Sequence, residues 1–197
     1  MILAFDTETT GLPLWHDPSD DPRQPHIVQL AAILFQPNGE EVETFSTIVN
    51  PGPGIVSGPE ALAAHGITPE RCAAEGIPPR EAVAKFMSMY ERATEMVGHN
   101  VTFDFRMMRI AHARTHGEKW RSELPYTCTM RSTTNIVNLP PTEAMLRAGR
   151  RHPKSPNIGE AYAFFFGETL EGAHDALVDV RASARIYFHL KAMREAA

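Results

Sequence analysis

The chain has 197 residues, 43% of them hydrophobic and 22% charged, with a formal net charge of -5. That length and balance fit one globular domain, residues 1–197, with a core large enough to stand alone, and they exclude a low-complexity chain or a membrane span. The acidic balance also excludes a broad electrostatic footprint for duplex nucleic acid, though not a grip on one strand end. The N-terminus has no charged region ahead of its short apolar stretch, so no targeting peptide and no membrane partner are expected, and a cytoplasmic location follows. Cys72 and Cys128 stand far apart and outside any Cys-x-x-Cys pattern, which predicts reduced, packed thiols.

In chain order, "MILAFDTETTGL" predicts a first strand. Alternation places Ile2, Ala4, Asp6 and Glu8 on one face and Leu3, Phe5 and Thr7 on the other, with a turn at Gly11. Because Ile2 to Phe5 are apolar on both faces, this strand is expected inside a covered α/β sheet, with Asp6 and Glu8 side by side at its end. Two such acids repel each other unless water reaches them or a cation lies between them. His26–Phe35 and Glu41–Asn50 read as further strands joined at Pro37-Asn38-Gly39, giving an antiparallel start to the sheet. Short helical pieces follow around "PEALAAHG" and "TPERCAAEG". An amphipathic helix is expected over Arg80–Arg92, a short strand at Met96–Gly98, a helix over Val101–His116 and a strand at Tyr126–Met130. Ser132–Asn157, rich in Pro, Asn, Arg and Gly, is expected to be irregular, and helices close the chain at Ile158–Phe166 and Asp175–Arg194. Alternating strands and helices give the α/β class.

Two further acidic constellations stand out. In "GHNVTFDFRMMRIA", Asn100 is a natural helix N-cap, and Asp104 shares a stripe with Met107, Met108 and Ala111 that faces the body of the protein. An inward carboxylate needs a donor or a cation, although interaction with the helix dipole is an equally good account of Asp104. In "EGAHDALVDVRASARIY", His174 and Asp179 are five apart, roughly 140° around a helix of about 3.6 residues per turn. Both reach one site only if His174 lies on the loop before the helix, with Asp175 capping the first turn.

Asp6-Thr7-Glu8-Thr9-Thr10-Gly11, Gly98-His99-Asn100 with Phe103-Asp104, and His174 followed by Asp179 together resemble the three motifs of the DEDDh 3′-to-5′ exonucleases, the superfamily of the proofreading subunit of bacterial replicative polymerase. "HGITPERCAAEGIPPREAVAKF" and "NIGEAYAFFFG" resemble the family's intervening text, so the likeness covers nearly the whole chain. It implies a ribonuclease H-like fold, a central mixed sheet with helices on both faces, and two divalent ions, Mg2+ or Mn2+. Asp6 would bridge both ions, Glu8 and Asp179 would complete one site, and Asp104 would help to hold the other. His174 would act as general base, a role suited to histidine. The implied reaction is metal-dependent release of nucleoside 5′-monophosphates from single-stranded or frayed DNA 3′ ends.

An exoribonuclease or oligoribonuclease is the alternative within the family, and a non-catalytic polymerase-accessory module is the alternative outside it; four intact acids with His174 speak against the latter. Thr9, Thr10, Leu12, Asn100 and Phe103 are the candidate substrate contacts, and Arg147, Arg150, Arg151 and Lys154 form a basic patch that would either follow phosphates or simply be solvated. Polymerase-bound members carry an extension after the third motif, where this chain has about one helix, so a free-standing nuclease is expected rather than one in stable polymerase association. The segments 12–25 and 132–156 exceed a minimal member and offer a lid, a homodimer contact or a substrate selector.

Overall fold

In the computed structural model, which describes residues 1–196, five strands form one mixed sheet in the order β3-β2-β1-β4-β5. β1 (Ile2–Thr9), β2 (Ile27–Phe35) and β3 (Glu41–Ile48) pair antiparallel, and β4 (Glu95–Gly98) and β5 (Tyr126–Cys128) extend the sheet in parallel on the other side of β1. The hairpin turn between β2 and β3 falls where the sequence places it: Gly39 takes φ +92°, and the Asn38 carboxamide oxygen accepts from the amide of Glu40 at 3.1 Å.

Strand alternation decides which helix covers which face. Leu3 and Phe5 of β1 and Leu30 of β2 pack with Phe86 of α3 (Pro79–Tyr90) and with Met107 and Met108 of α4 (Thr102–His116). Ile2 and Ala4, pointing the other way, pack with Ala31 and Ile33 and with Ala176, Val180 and Ala184 of α8 (Ala176–Glu195). All nine residues of β2 are buried, as a strand covered on both faces must be. Each of the large side chains contributes about 1.5–3 kcal/mol by its burial. β1 is thereby fixed between two cores, and α4 and α8 both pack against it. The helices α1 (Pro59–His65) and α2 (Pro69–Glu75) connect β3 to α3, each with proline in its first turn.

Three local expectations are corrected. The strand expected through Met130 ends at Cys128, and α5 (Thr129–Val137) occupies the first part of the stretch read as irregular. Its threonines, poor helix formers in isolation, bond back to carbonyls one turn earlier: Thr133 Oγ1 to Thr129 O at 2.7 Å and Thr134 Oγ1 to Met130 O at 2.8 Å, with Thr129 and Thr133 buried. A second short helix, α6 (Glu143–Arg147), starts at Thr142, whose hydroxyl accepts from Met145 N at 3.2 Å. The remainder of that stretch is irregular and is closed by an isolated bridge between Leu139 and Lys154 before α7 (Ile158–Phe166). Asn100 is not the cap of α4. It takes a left-handed conformation at φ +62°, and the helix starts after Val101 without a side-chain cap. Cys72 and Cys128 are free and buried, as expected. Among the described residues, no helix is long and apolar enough to cross a membrane.

Gly98 ends β4 where the chain turns into α4. A methyl group there would lie 2.9 Å from Val101 Cγ2 and 3.2 Å from the carbonyl oxygen of Phe5. Gly98→Ala should therefore destabilise the protein by about 1–3 kcal/mol, as overpacking does in close-packed surroundings. Chemical denaturation checks this, and an unchanged midpoint would show that β4 and α4 can move apart freely.

Candidate active site

Past Phe5 the faces of β1 carry polar residues. Asp6 and Glu8 continue the face covered by α8, while Thr7 continues the face covered by α4. Asp104, in the first turn of α4 and 2% exposed, is held from the sheet: one carboxylate oxygen accepts from Thr7 N at 3.0 Å and from Thr7 Oγ1 at 2.8 Å. Asp179 comes from the start of α8. His174 lies outside that helix at φ +69°, as the five-residue spacing requires, and its amide donates to Asp179 Oδ2 at 3.2 Å. Asp175 caps α8, accepting from Leu177 N at 3.0 Å and Val178 N at 3.3 Å. Gln29 of β2 donates to Asp175 Oδ2 at 3.0 Å and accepts from Ala176 N at 3.1 Å, which pins the helix start to the sheet. The ligating atoms of Glu8, His174 and Asp179 lie within 4.8 Å of one another.

Crowding shows in the acidities. Burial, then the neighbouring Asp104, Asp179 and Glu8, push Asp6 well above the ordinary carboxylate range. Burial and the charges of Asp179 and Asp104 push Glu8 up to about 8. Asp104 is pushed up to about 7 by burial despite the opposing hydrogen bonds from Thr7, and Asp179 is raised by burial against the pull of the His174 amide. Left to itself, the cluster resists carrying four negative charges.

The residues fit divalent cations. All four acids offer oxygen donors of the kind that hard cations take, an added positive charge would reverse each of the raised acidities, and Asp179 Oδ1 is buried with no hydrogen-bond partner among the described residues. His174 is exposed and close enough to Glu8 and Asp179 to act beside such an ion.

The acids open into a cavity of about 790 Å³ that Thr9, Leu12, Asn100 and Phe103 also line. Thr10 is not brought to it. Its hydroxyl accepts from His26 N at 2.9 Å, and its carbonyl accepts from Gly58 N at 2.9 Å, so it ties the loop after β1 to β2 and to the start of α1. Thr9 lines the cavity but is 6% exposed, with its hydroxyl donated to Gly11 O at 2.9 Å. The basic patch is divided: Lys154 pairs with Glu160 at 2.5 Å, whereas Arg150 and Arg151 are exposed.

Several site residues escape the sequence reading. Thr7 and Gln29 hold the acid-bearing helices, as described. His65 donates from Nε2 to Thr9 O at 3.2 Å, the tautomer fixed by Nδ1 accepting from Ile67 N at 2.9 Å. His99, pushed down to about 4 by burial, lies 3.0 Å from both Thr129 Oγ1 and Pro156 O and so ties β4 to α5 and to the chain entering α7. The signal for Thr7 lay in β1 itself, since the residue between two same-face acids must point at whatever covers the other face.

A mixed five-stranded sheet with helices on both faces and acids gathered at the end of its first strand is the architecture of the ribonuclease H-like nucleases. The chain belongs to the exonuclease family: the family model described as "Exonuclease", of RNase T type, matches residues 3–187. Among curated proteins it is similar to the PolC-type DNA polymerase III of Thermotoga petrophila (26% identity over 138 residues, 70% of this chain and 9% of that protein) and of Pediococcus pentosaceus (29% over 128 residues, 65% and 8%). Among solved structures it resembles E. coli exonuclease I in complex with a 5cy-dT13 oligonucleotide (20% identity, TM-score 0.72, 97% of this chain and 40% of that one). A moderately thermophilic exonuclease I from Methylocaldum szegediense is similar too (22%, TM-score 0.64, 94% and 39%). The chain thus spans about a tenth of the length of the curated relatives and about two fifths of the solved chains.

The raised acidities set a pH dependence. A carboxyl whose folded pKa exceeds its unfolded value of about 4 contributes stability that is fully present below that value and lost as pH rises through the folded pKa. With Glu8 at about 8 and Asp104 at about 7, the melting temperature in chelator should fall between about pH 4 and pH 8. Mg2+ or Mn2+ should remove most of the fall, and Glu8→Gln should flatten it. Thermal scans across this range test the assignment, and a midpoint that rises with pH in chelator would overturn it.

Proposed function

We propose that this domain is a metal-dependent 3′-to-5′ exonuclease that removes nucleoside 5′-monophosphates from the 3′ ends of single-stranded or frayed DNA, with residues 1–197 acting as one catalytic domain. The observation that carries the reading is the convergence of Asp6, Glu8, Asp104 and Asp179 on one end of β1, supplied by β1, α4 and α8. DNA is favoured over RNA because the similar exonuclease I structures are described with dT13 and other DNA oligonucleotides, and because the similar polymerases are DNA polymerases.

The four acids would hold two divalent ions, Mg2+ or Mn2+, and bound ions would supply charge stabilisation for both the attacking and the leaving oxygen at phosphorus. The chain's own residues do the rest. His174, freed from the helix by its left-handed backbone, accepts the proton of the attacking water at an imidazole nitrogen. Water oxygen bonds to phosphorus, the bond from phosphorus to the 3′-oxygen of the preceding nucleotide breaks, and that oxygen leaves as a 3′-hydroxyl once protonated. Thr7 keeps Asp104 oriented, and the His174 amide does the same for Asp179. Asn100, Phe103, Leu12 and Thr9 would hold the terminal nucleotide in the cavity, with Thr10 acting through the loop backbone.

A 5′-labelled DNA strand should shorten one nucleotide at a time from its far end with Mg2+ or Mn2+, stop in chelator, and resume on readdition of the ion. A matched RNA strand should be cut more slowly. Early appearance of labelled mononucleotide would mean the opposite polarity, and full hydrolysis in chelator would sink the metal assignment.

The general base and the ligands should separate on substitution. His174→Ala should lower turnover by roughly 10²–10⁴-fold with metal affinity nearly intact, whereas Asp179→Asn should weaken both. Asp175→Asn keeps a capping oxygen but loses the acceptor for Gln29, so it should cost about 1–2 kcal/mol of stability with near-normal turnover. Calorimetric metal titration with single-turnover cleavage decides, and loss of metal binding in His174→Ala would make that histidine a ligand.

A further inference from the structure

The segment after Gly11 has the composition of a loose loop, with prolines, aspartates and a serine, yet it is fastened to α4 by side chains that the chemistry above does not use. Arg106, on the same helix as Asp104, is 8% exposed and has no carboxylate partner among the described residues. Its guanidinium donates instead to Leu14 O at 3.0 Å, to Asp17 O and to Ser19 Oγ at 2.8 Å, and its Nε is buried without a partner. Gln24, 2% exposed, closes the segment from inside: its carboxamide donates to Leu14 O at 2.9 Å and Pro18 O at 3.0 Å and accepts from Leu14 N at 3.0 Å. Arg114, about two turns further along α4, donates to Pro25 O at 2.6 Å and to Gln24 O.

A buried guanidinium is tolerated only where its donors are matched. Here the acceptors belong to residues 14 to 19, so swinging this segment away as a lid would strip a buried cation of its partners. The segment is therefore a fixed shelf. At its front, Leu12 is 78% exposed and lines the cavity, with Trp15 53% exposed three residues on.

We infer that Arg106 and Gln24 are positioning residues for the substrate: Arg106 bolts residues 14–19 to α4, Gln24 braces the segment from inside, and together they hold Leu12 at the cavity mouth in its binding arrangement, so that a strand end meets a preordered surface. The inference rests on the exonuclease reading above. A loop that is not held must be ordered when the strand binds, and that ordering is subtracted from affinity rather than from the chemical step. Loss of the bolts should thus appear in KM for a strand and leave kcat alone. The p-nitrophenyl ester of thymidine 5′-monophosphate, which carries the terminal nucleotide alone and so still meets Leu12, should show the loss in KM as the strand does, with kcat unchanged.

The test compares Arg106→Gln and Gln24→Ala with the wild-type chain in Mn2+, on a short DNA strand and on the p-nitrophenyl ester, with tryptic cleavage after the exposed Arg23 as a gauge of shelf order. Both variants should be cut faster by trypsin, show KM for both substrates raised about tenfold, about 1.4 kcal/mol, and keep kcat on both within about twofold. If Arg106→Gln fails to fold, Gln24→Ala, which removes contacts within the segment alone, carries the test. Faster tryptic cleavage with unchanged KM would overturn the inference, as would a fall in turnover of the ester in step with that of the strand, which would mean that Arg106 acts through Asp104. Wild-type protein that hydrolyses neither substrate would instead overturn the exonuclease reading itself.

Discussion

Like-charge crowding at the end of β1 is the constraint around which this molecule is built. Two unit charges about 4 Å apart repel by about 4 kcal/mol at an effective dielectric of about 20, more than a helix cap or an ordinary hydrogen bond returns. The hydrogen bonds from Thr7 to Asp104 and from the His174 amide to Asp179 pull those acidities down, yet both remain raised. The protein keeps the acids together by placing each on a different, separately packed element. Asp104 comes with the core that α3 and α4 form on one face, Asp179 with the core that α8 forms on the other, and Asp6 and Glu8 with the strand between. No single local rearrangement relieves the repulsion, which is how an unfavourable cluster persists in a stable fold.

The backbone carries a second sign of the same demand. Three non-glycine residues of the described chain have positive φ: Asn100, Asn138 and His174. Two of them stand immediately before the acid-bearing helices. At His174 the left-handed turn has a visible product: it takes the imidazole off the helix, brings it near Glu8, and aims the amide at Asp179. At Asn100 it lets the chain leave β4 and start α4 within three residues, and Gly98, which has no room for a side chain, sets up that turn. Asparagine tolerates this conformation better than most residues, and histidine shares the tendency to a smaller degree.

What was legible in the sequence was whatever depends on local period. Alternation in β1 placed Asp6 and Glu8 on one face, and the five-residue spacing of His174 and Asp179 placed the histidine outside α8. Proline and glycine marked the hairpin between β2 and β3 and the edges of the short helices. The mixed sheet and the family followed from three motifs whose order and spacing together say more than any one of them. What was not legible depends on contacts between elements far apart in the chain. Thr7 grips Asp104 across a separation of 97 residues, and Gln29 grips Asp175 across 146. Asn100 looked like a cap because its side chain suits one, but the turn needed its backbone instead. The threonines of α5 looked irregular because their helix is supported by burial and back-bonded hydroxyls, neither of which propensity expresses.

Charge distribution explains why the segments around the cleft are as important as its acids. The chain carries a net charge of -5 and gathers four carboxylates at the cavity, so the protein as a whole would offer a nucleic acid strand little attraction. On the proposed function, affinity for a strand end would come from short-range contacts. The candidates differ in how they are held. The shelf after β1 is fixed to α4 by buried side chains and presents apolar surface. The stretch between α5 and α7 is tied at its base by His99 to Pro156, by Lys154 to Glu160 and by the Leu139–Lys154 bridge, and it presents Arg150 and Arg151 to solvent. On the proposed function, a fixed apolar surface at the cavity mouth would discriminate by shape, because it would not adjust to a misplaced base. Exposed arginines further out act through charge, and screening by salt weakens them first. On the proposed function, ionic strength would govern how readily a strand is captured and the fit at the shelf would govern which strand ends are accepted, and the two would be separable because different elements of the fold hold them.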